Sequence, residues 1–368
     1  MAVVDCTAFY LSLANAALFF HQKTINTGSE HSDFEESSKY LSLCLNQVVH
    51  RLKQEPENIS EGVITTVLGF LCHDCTVGRW DRYAMHMDGL QNILLVRGNF
   101  QRLESTVAMF VSWFDVLGSS IFDTKPRFPL PQSSTTSTSH QVPLSTALQQ
   151  LLLRLSDGSD QDKKIATALE NSMQLATFVN ENAYNQRFWK DGATAARRIT
   201  PVMHLLLSLP RPLDFEAPST VLPEIAMREL VRLALLIMLT RLKKACSLVS
   251  DELDTLLERF SLMIRTSTYF DRRFPELSLW ATVIVATMEQ AEQRRNVYVG
   301  AISIFMENMG IYLGEDAIAR VKKLVWLDPL MDAGARSLEF ELNCAARFLP
   351  IAPEASHFNE PVASLRAA

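Results

Sequence analysis

The sequence predicts an all-α fold, an array of antiparallel amphipathic helices that form one large domain, with a division into two lobes as an option. Glycine (13 residues) and proline (15) are scarce for a chain of 368 residues, and so few turn-formers favour long elements over many short strands. Apolar residues recur every three or four positions along most of the chain, which is typical of helices with one buried face. Strict alternation of apolar and polar residues, the pattern of a half-buried strand, is hard to find.

The first twenty residues are apolar and predict a core helix. A secretory signal would begin with positive charge, whereas this segment carries Asp5, and no small-residue cleavage site precedes His21. A second helix is predicted to start after Ser60, a typical N-cap residue that is followed by the acidic Glu61. Its buried stripe is predicted to comprise Val63, Ile64, Val67, Leu68, Phe70, Leu71 and Cys75.

The next helices follow the same spacing. Met87, Leu90 and Leu94 lie on one face of a helix that Gly98 is predicted to end, because glycine is the residue that most often follows a helix in the left-handed conformation. A further apolar face is predicted to comprise Phe110, Trp113, Phe114 and Leu117.

In the second half of the chain, Pro275 stands where a helix accepts proline, at its first turn. Asp328 and Pro329 are predicted to break one helix and to cap the next. The apolar run at residues 230–239 is too short to span a bilayer and contains Arg232. The apolar face that follows Pro275 is predicted to comprise Leu277, Trp280, Ile284, Met288 and Ala291.

Two proline-rich stretches divide these helices. Residues 125–146 contain four prolines around a serine- and threonine-rich run, a composition that buries little apolar surface and predicts a mobile loop. We therefore predict one domain over residues 1–345, with lobes at about 1–124 and 147–345, and a loose tail at 346–368. A shorter break is predicted between Pro210 and Pro223. The sequence has no fixed-period repeat of the kind that defines helical solenoids.

The distribution of charge disfavours DNA binding by this chain alone. Residues 1–123 hold 14 acidic and 8 basic residues, and the remainder holds 27 of each. Proteins that neutralise DNA phosphates need a basic face, and the short basic clusters here are typical of solvated helix surfaces. The six cysteines are spread through apolar stretches, which indicates free thiols in a reducing compartment and not a disulfide framework.

No cofactor or metal site is predicted. Cys72 and Cys75 have the spacing of a zinc-binding pair, but no second pair follows, so they are interpreted as core residues. His86 is interpreted in the same way, since no nucleophile or carboxylate pairs with it in a known motif. Asp115 lies in an apolar helix and is expected to form a structural ion pair with Arg97 or Arg127. The sequence therefore does not predict an enzyme.

Several short motifs occur in order within residues 60–129: Gly78-Arg79-Trp80, His86-Met87-Asp88-Gly89-Leu90, Val96-Arg97-Gly98, Trp113-Phe114-Asp115 and Pro126-Arg127-Phe128-Pro129. With Pro275-Glu276-Leu277-Ser278-Leu279-Trp280 and Leu324-Val325-Trp326-Leu327-Asp328, they resemble the regulatory domain of fungal binuclear zinc-cluster transcription factors. The resemblance covers residues 8–345. The motif residues that it singles out, with an expected structural role, are Trp80, His86, Gly89, Leu90, Arg97, Gly98, Trp113, Asp115, Arg127, Trp280, Trp326 and Asp328.

The resemblance extends to the regulatory half of that family only. Its members carry six cysteines in two clusters that fold around two zinc ions and dock on DNA, whereas the cysteines here are spread from Cys6 to Cys344. The resemblance implies a transcription-regulatory module without its own DNA-binding head, located in the nucleus, with the cytoplasm as the alternative. Its expected partners are a co-regulator, a related zinc-cluster factor in a homo- or heterodimer, or a small effector. Two other readings stay open: an all-α enzyme with an unrecognised buried site, and a fragment of a full-length zinc-cluster factor.

Overall fold

The all-α prediction is confirmed by a computed structural model, which describes residues 6–24, 35–54, 60–98, 100–131, 144–211, 222–266 and 272–348. These residues form fourteen α-helices and two short 3-10 turns, and none of them lies in a strand. The helices are α1 (Cys6–Thr24), α2 (Glu35–Gln54), α3 (Glu61–Thr76), α4 (Trp80–Arg97), α5 (Ser105–Ile121), α6 (Thr146–Ser156), α7 (Asp160–Asn182), α8 (Gly192–Ser208), α9 (Pro223–Ala245), α10 (Leu253–Thr266), α11 (Pro275–Met288), α12 (Glu292–Asn308), α13 (Gly314–Val321) and α14 (Asp328–Phe348).

A first core, core A, lies among α1 to α5. The whole stripe predicted for α3 is buried, as are Met87, Leu90 and Leu94 of α4. The predicted helix end at Gly98 is confirmed, because this glycine has the left-handed φ of 83° that a side chain would make costly. The prediction for α5 was wrong at Phe110, which is 37% exposed on the side away from the core.

A second core, core B, is formed by α6 to α14 around α9 and α11. Every residue from Glu229 to Thr240 of α9 and from Leu277 to Met288 of α11 is buried, so neighbouring helices surround both elements. Helix α14 crosses α11 at Gly334, where a Cβ atom would lie 1.9 Å from the carbonyl oxygen of Thr287. Pro275 begins α11 as predicted, but Ala291 lies beyond its end and is only partly buried.

Helix α5 borders both cores. Its Trp113 and Leu117 belong to core A and its Val116 to core B, while α8 packs on it and contributes Ala196 to core A. The domain and lobe boundaries proposed from the sequence stay predictions. Of the irregular stretches that separate them, residues 132–143, 212–221 and 349–368 lie outside the described residues, and α14 continues to Phe348, beyond the predicted end of the domain at 345.

Candidate functional site

The polar centre of the motif-bearing region is Asp74, at the C-terminal end of α3. Its carboxylate is fully buried and accepts hydrogen bonds from Arg82 at 2.7–2.9 Å. The Nδ1 atom of His86 lies 2.7 Å from the other carboxylate oxygen, and the imidazole stacks on Phe70 at a centroid distance of 5.1 Å. A buried carboxylate is stable only when charged or hydrogen-bonding partners surround it, so this network ties the start of α4 to α3.

The sequence alone did not pair His86 with a carboxylate. Asp74 lies twelve residues earlier, between Cys72 and Cys75, at a spacing that no sequence motif links to His86. The sequence did contain a signal for this contact. A charged residue beside the buried stripe of α3 requires a hydrogen-bonding partner, and the basic residues of the following helix are the nearest candidates. The contacts of His86 among the described residues are its hydrogen bond to Asp74 and its stacking on Phe70, and these two contacts fix the orientation of the imidazole ring.

The two cysteines of this motif lie in the last turn of α3. The thiol of Cys75 donates to the carbonyl oxygen of Cys72 at 3.2 Å, and both side chains pack in core A. A hydrogen bond from Cys75 lowers the pKa of Cys72 to about 7, against the effect of burial. Within the described ranges, no group of three or more His, Cys, Asp or Glu side chains is arranged to hold a metal ion.

The C-terminal end of α4 is fixed by Arg97. Its guanidinium lies 3.2 Å from the carboxylate of Glu61, at the start of α3. The same Glu61 oxygen accepts the backbone N–H of Glu104, the N-cap of α5, at 3.1 Å. Because Leu90 is fully buried about two turns earlier, α4 is held to core A along its length and only its opposite face reaches solvent.

Asp115 of α5 does not form the predicted ion pair. Its carboxylate accepts the backbone N–H groups of Arg127 and Phe128 at 2.8 Å each, while the Arg127 guanidinium pairs with the exposed Asp88 of α4. In the turn after α5, the backbone N–H groups of Arg127 and Phe128 point towards the buried Asp115 carboxylate. The side chain of Arg127 extends away from it towards solvent. Burial raises the pKa of Asp115, and the two backbone donors oppose this effect. His204 of α8 bonds the Phe128 carbonyl at 2.9 Å, so the turn is held from both sides.

Trp80 and Trp113 both connect the two cores. The indole N–H of the partly buried Trp80 donates to Asp251, before α10, at 3.2 Å. The ring of Trp113 is 7% exposed and lies 5.9 Å from the ammonium of Lys243 on α9. These residues therefore serve packing between helices.

The later motif residues lie within core B. Trp280 is fully buried and donates to the carbonyl oxygen of Val325 at 2.9 Å. Trp326 donates to Asp332 at 2.9 Å, and the backbone N–H of Asp328 donates to Asn180 of α7 at 3.1 Å. The structure brings these three residues together where α11, α7 and α14 meet, away from the α3–α5 motifs.

Sequence reasoning missed two buried charge clusters at the junction of the cores. Lys243 and Glu252 form an ion pair with both side chains buried, and the hydroxyls of Ser120 and Thr240 each donate to Glu252 at 3.0 Å. Charged residues inside the otherwise apolar α9 were the available signal, since a buried charge requires a counter-charge.

The second cluster surrounds Asp123, which follows α5. Its carboxylate contacts Arg211 at 2.9 Å, Arg232 at 3.0 Å and Arg259, and Arg232 also pairs with Glu229 at 2.7 Å. Burial alone would raise the pKa of Asp123, but the charges and hydrogen bonds of the three arginines outweigh burial and hold the pKa at about 2. One carboxylate thus joins the ends of α5 and α8 to α9 and α10.

The outer face of α4 is the accessible feature of the motif region. Met85, Leu95 and Val96 are 62%, 70% and 62% exposed. Met85, Gly89 and Val96 recur at helical spacing, and a Cβ atom on Gly89 would meet nothing within 4 Å. This set, Met85, Gly89, Leu95 and Val96, is called the α4 face below, and it extends about 16 Å along the helix.

The fold and these sites define an all-α domain with two cores joined by buried ion pairs and with three large apolar side chains exposed on α4. The chain belongs to the family of the fungal-specific transcription factor domain, whose family model matches residues 1–310. No curated protein and no solved structure matches it. The chain therefore has a transcription-regulatory role, and domains of this family are typically not enzymes. Across the described part of the chain, every helix is too short or too polar to cross a membrane.

Proposed function

We propose that this chain regulates transcription by binding a protein partner through the α4 face, and that its own residues do not read DNA. The observation that carries the proposal is the exposure of three large apolar side chains on one side of α4. Isolated exposed apolar residues are common, but three large ones on a single helix, with the exposed polar residues Asp88 and Asn92 between them, are typical of an interaction surface of mixed character.

The α4 face fits a helical partner. Met85 and Val96 lie eleven residues apart, about three turns, so both point to the same side of α4 and can contact one helix that lies along it. Gly89 costs about 1 kcal/mol in a helix interior relative to alanine, and no neighbour within the described residues needs its small size. The missing side chain at Gly89 would allow the backbone of a partner helix to approach α4 closely. We therefore expect a co-regulator or a related zinc-cluster factor that presents an apolar helix.

Charge supports contact with protein over contact with DNA. Residues 1–123, which include α4, carry a net charge of −6, and the arginines near the face are already engaged. Arg127 is paired with Asp88, and Arg97 with Glu61. A surface of this kind offers few free cations for phosphates. Family membership is consistent with action in the nucleus, and the proposal concerns these 368 residues with or without a zinc cluster joined to them.

A tethering experiment tests this proposal. Fused to an unrelated DNA-binding domain, the chain is expected to activate or silence a reporter, and Met85→Glu with Val96→Glu is expected to abolish the effect because charge on the face prevents apolar docking. Ile304→Glu is the matched control, since Ile304 is 54% exposed on α12, outside the α4 face. The melting temperature of each variant is compared with that of the wild type.

Loss of the reporter effect in the α4-face variant alone, with an unchanged melting temperature, supports the proposal. An effect that survives both substitutions on the α4 face, or that Ile304→Glu removes equally, would overturn it. Specific gel-shift binding of the purified chain to duplex DNA at about physiological salt would overturn the second half of the proposal.

A further inference from the structure

A second accessible feature lies in core B, on a different part of the chain from the α4 face. A pocket of about 690 Å³ opens between α6, α11 and the segment that ends α13. Its floor is apolar and consists of Leu151, Leu279, Val321 and Leu324, which are each at most 5% exposed. This volume lies within the range of pockets that bind small organic molecules, and it is smaller than the roughly 850 Å³ that two turns of an α-helix would fill.

The rim of the pocket is positively charged. Arg154 and Glu276 form an ion pair on one side, and the Arg154 guanidinium also lies 5.4 Å from the centre of the Phe274 ring, so this pair is held in place and contributes no net charge. On the other side, Arg320 and Lys323 line the pocket and are exposed. Neither forms an ion pair with any residue that the structure describes. Two uncompensated positive charges therefore border an apolar floor.

We propose that this pocket binds a small apolar molecule that carries one anionic head group. The apolar part lies on the leucine and valine floor, where removal of each methylene group from water favours binding. The anionic group lies between Arg320 and Lys323, which supply charge-assisted hydrogen bonds. Neither neutral nor cationic analogues of the same length gain this second contribution. The site would give the regulatory domain an effector input that is separate from its protein contacts.

The test uses the purified chain and three ten-carbon probes at pH 7.4, decanoate, decanol and decylamine. In isothermal calorimetry decanoate and decylamine are kept below their micelle concentrations and decanol below its solubility limit. We expect decanoate to bind most tightly. Arg320→Glu with Lys323→Glu should weaken decanoate about tenfold, the change given by two rim ion pairs of ordinary strength. Decanol binding should change little.

The matched control is Arg187→Glu with Lys190→Glu, an exposed arginine and lysine at the same spacing outside the pocket. It should leave decanoate affinity unchanged. Ala147→Trp, which places an indole into the pocket, should abolish binding of decanoate and decanol alike. The α4-face variant should bind decanoate like the wild type, so failure of this inference is distinguishable from failure of the proposed function.

The inference would be overturned by no binding of decanoate to the folded wild type, by equal affinity of decanoate and decylamine, or by equal weakening of decanoate by the pocket reversal and by the control reversal. Retention of decanoate affinity in a folded Ala147→Trp protein would show that the probe binds elsewhere and would also overturn it.

Discussion

Replacement of Asp123 by asparagine should destabilise the protein by an amount that the structure sets. The pKa of Asp123 is held at about 2, compared with its ordinary value of 3.8. Each pKa unit corresponds to about 1.4 kcal/mol, so the charge on this carboxylate contributes about 2–3 kcal/mol to the free energy of unfolding at neutral pH. The side chain is only 13% exposed, and solvent screens this contribution little.

The same contribution has a defined pH dependence. A carboxylate whose folded-state pKa is lowered stabilises the protein above its unfolded-state pKa and loses this effect as the pH falls towards 2. The difference in stability between the wild type and Asp123→Asn should therefore be complete at pH 7.5 and should shrink by about half at pH 3. Urea unfolding followed by circular dichroism at both pH values measures it.

Asp88→Asn is the matched control, because Asp88 also pairs with an arginine but is 65% exposed. Exposed ion pairs contribute less than about 1 kcal/mol, so this variant should unfold close to the wild type. Equal stability of Asp123→Asn and the wild type at pH 7.5 would refute the reasoning. So would a difference that stays constant between pH 7.5 and pH 3.

Three further predictions concern stability and composition. Glu252→Gln leaves the Lys243 charge buried without its counter-charge and should reduce the free energy of unfolding in urea by about 3–5 kcal/mol. Addition of Lys243→Met should restore most of this stability. A double variant no more stable than the single one would contradict the prediction. Gly334→Ala forces a Cβ atom against Thr287 and should reduce the free energy of unfolding by about 1–3 kcal/mol, with a lower melting temperature. The Cβ atom of Gly89→Ala meets open space, so this variant should not be destabilised. Elemental analysis of the purified chain should find no stoichiometric zinc, and one tightly held zinc per chain would disprove that.

The sequence was most informative where structure depends on neighbours along the chain. The buried stripe of α3 from Val63 to Cys75, the helix end at Gly98 and the helix start at Pro275 all follow from spacing and backbone preferences within a few residues. The motifs around His86 and Trp113 also sufficed to indicate the family that the comparison shows. Most of their side chains are engaged in packing, and only Gly89 and Val96 of these motifs lie on the α4 face.

The partners of the charged groups were not predictable in the same way. Asp115 was matched with an arginine side chain, yet main-chain N–H groups of the following turn satisfy it. Asp74 was passed over although it holds both Arg82 and His86. A pattern shows that a buried charge needs a partner, but which donor reaches it depends on how helices cross.

Local periodicity and helix-capping residues in the sequence therefore determined the all-α fold, because each helix is specified by residues three or four positions apart. Tertiary structure alone decided the pairing of Asp123 with Arg232, 109 residues away, and the crossing at Gly334. It also decided that the face at Met85 and Val96 is left uncovered and that Arg320 and Lys323 border an apolar pocket. These features depend on which helices pack together, and a one-dimensional pattern does not contain that information.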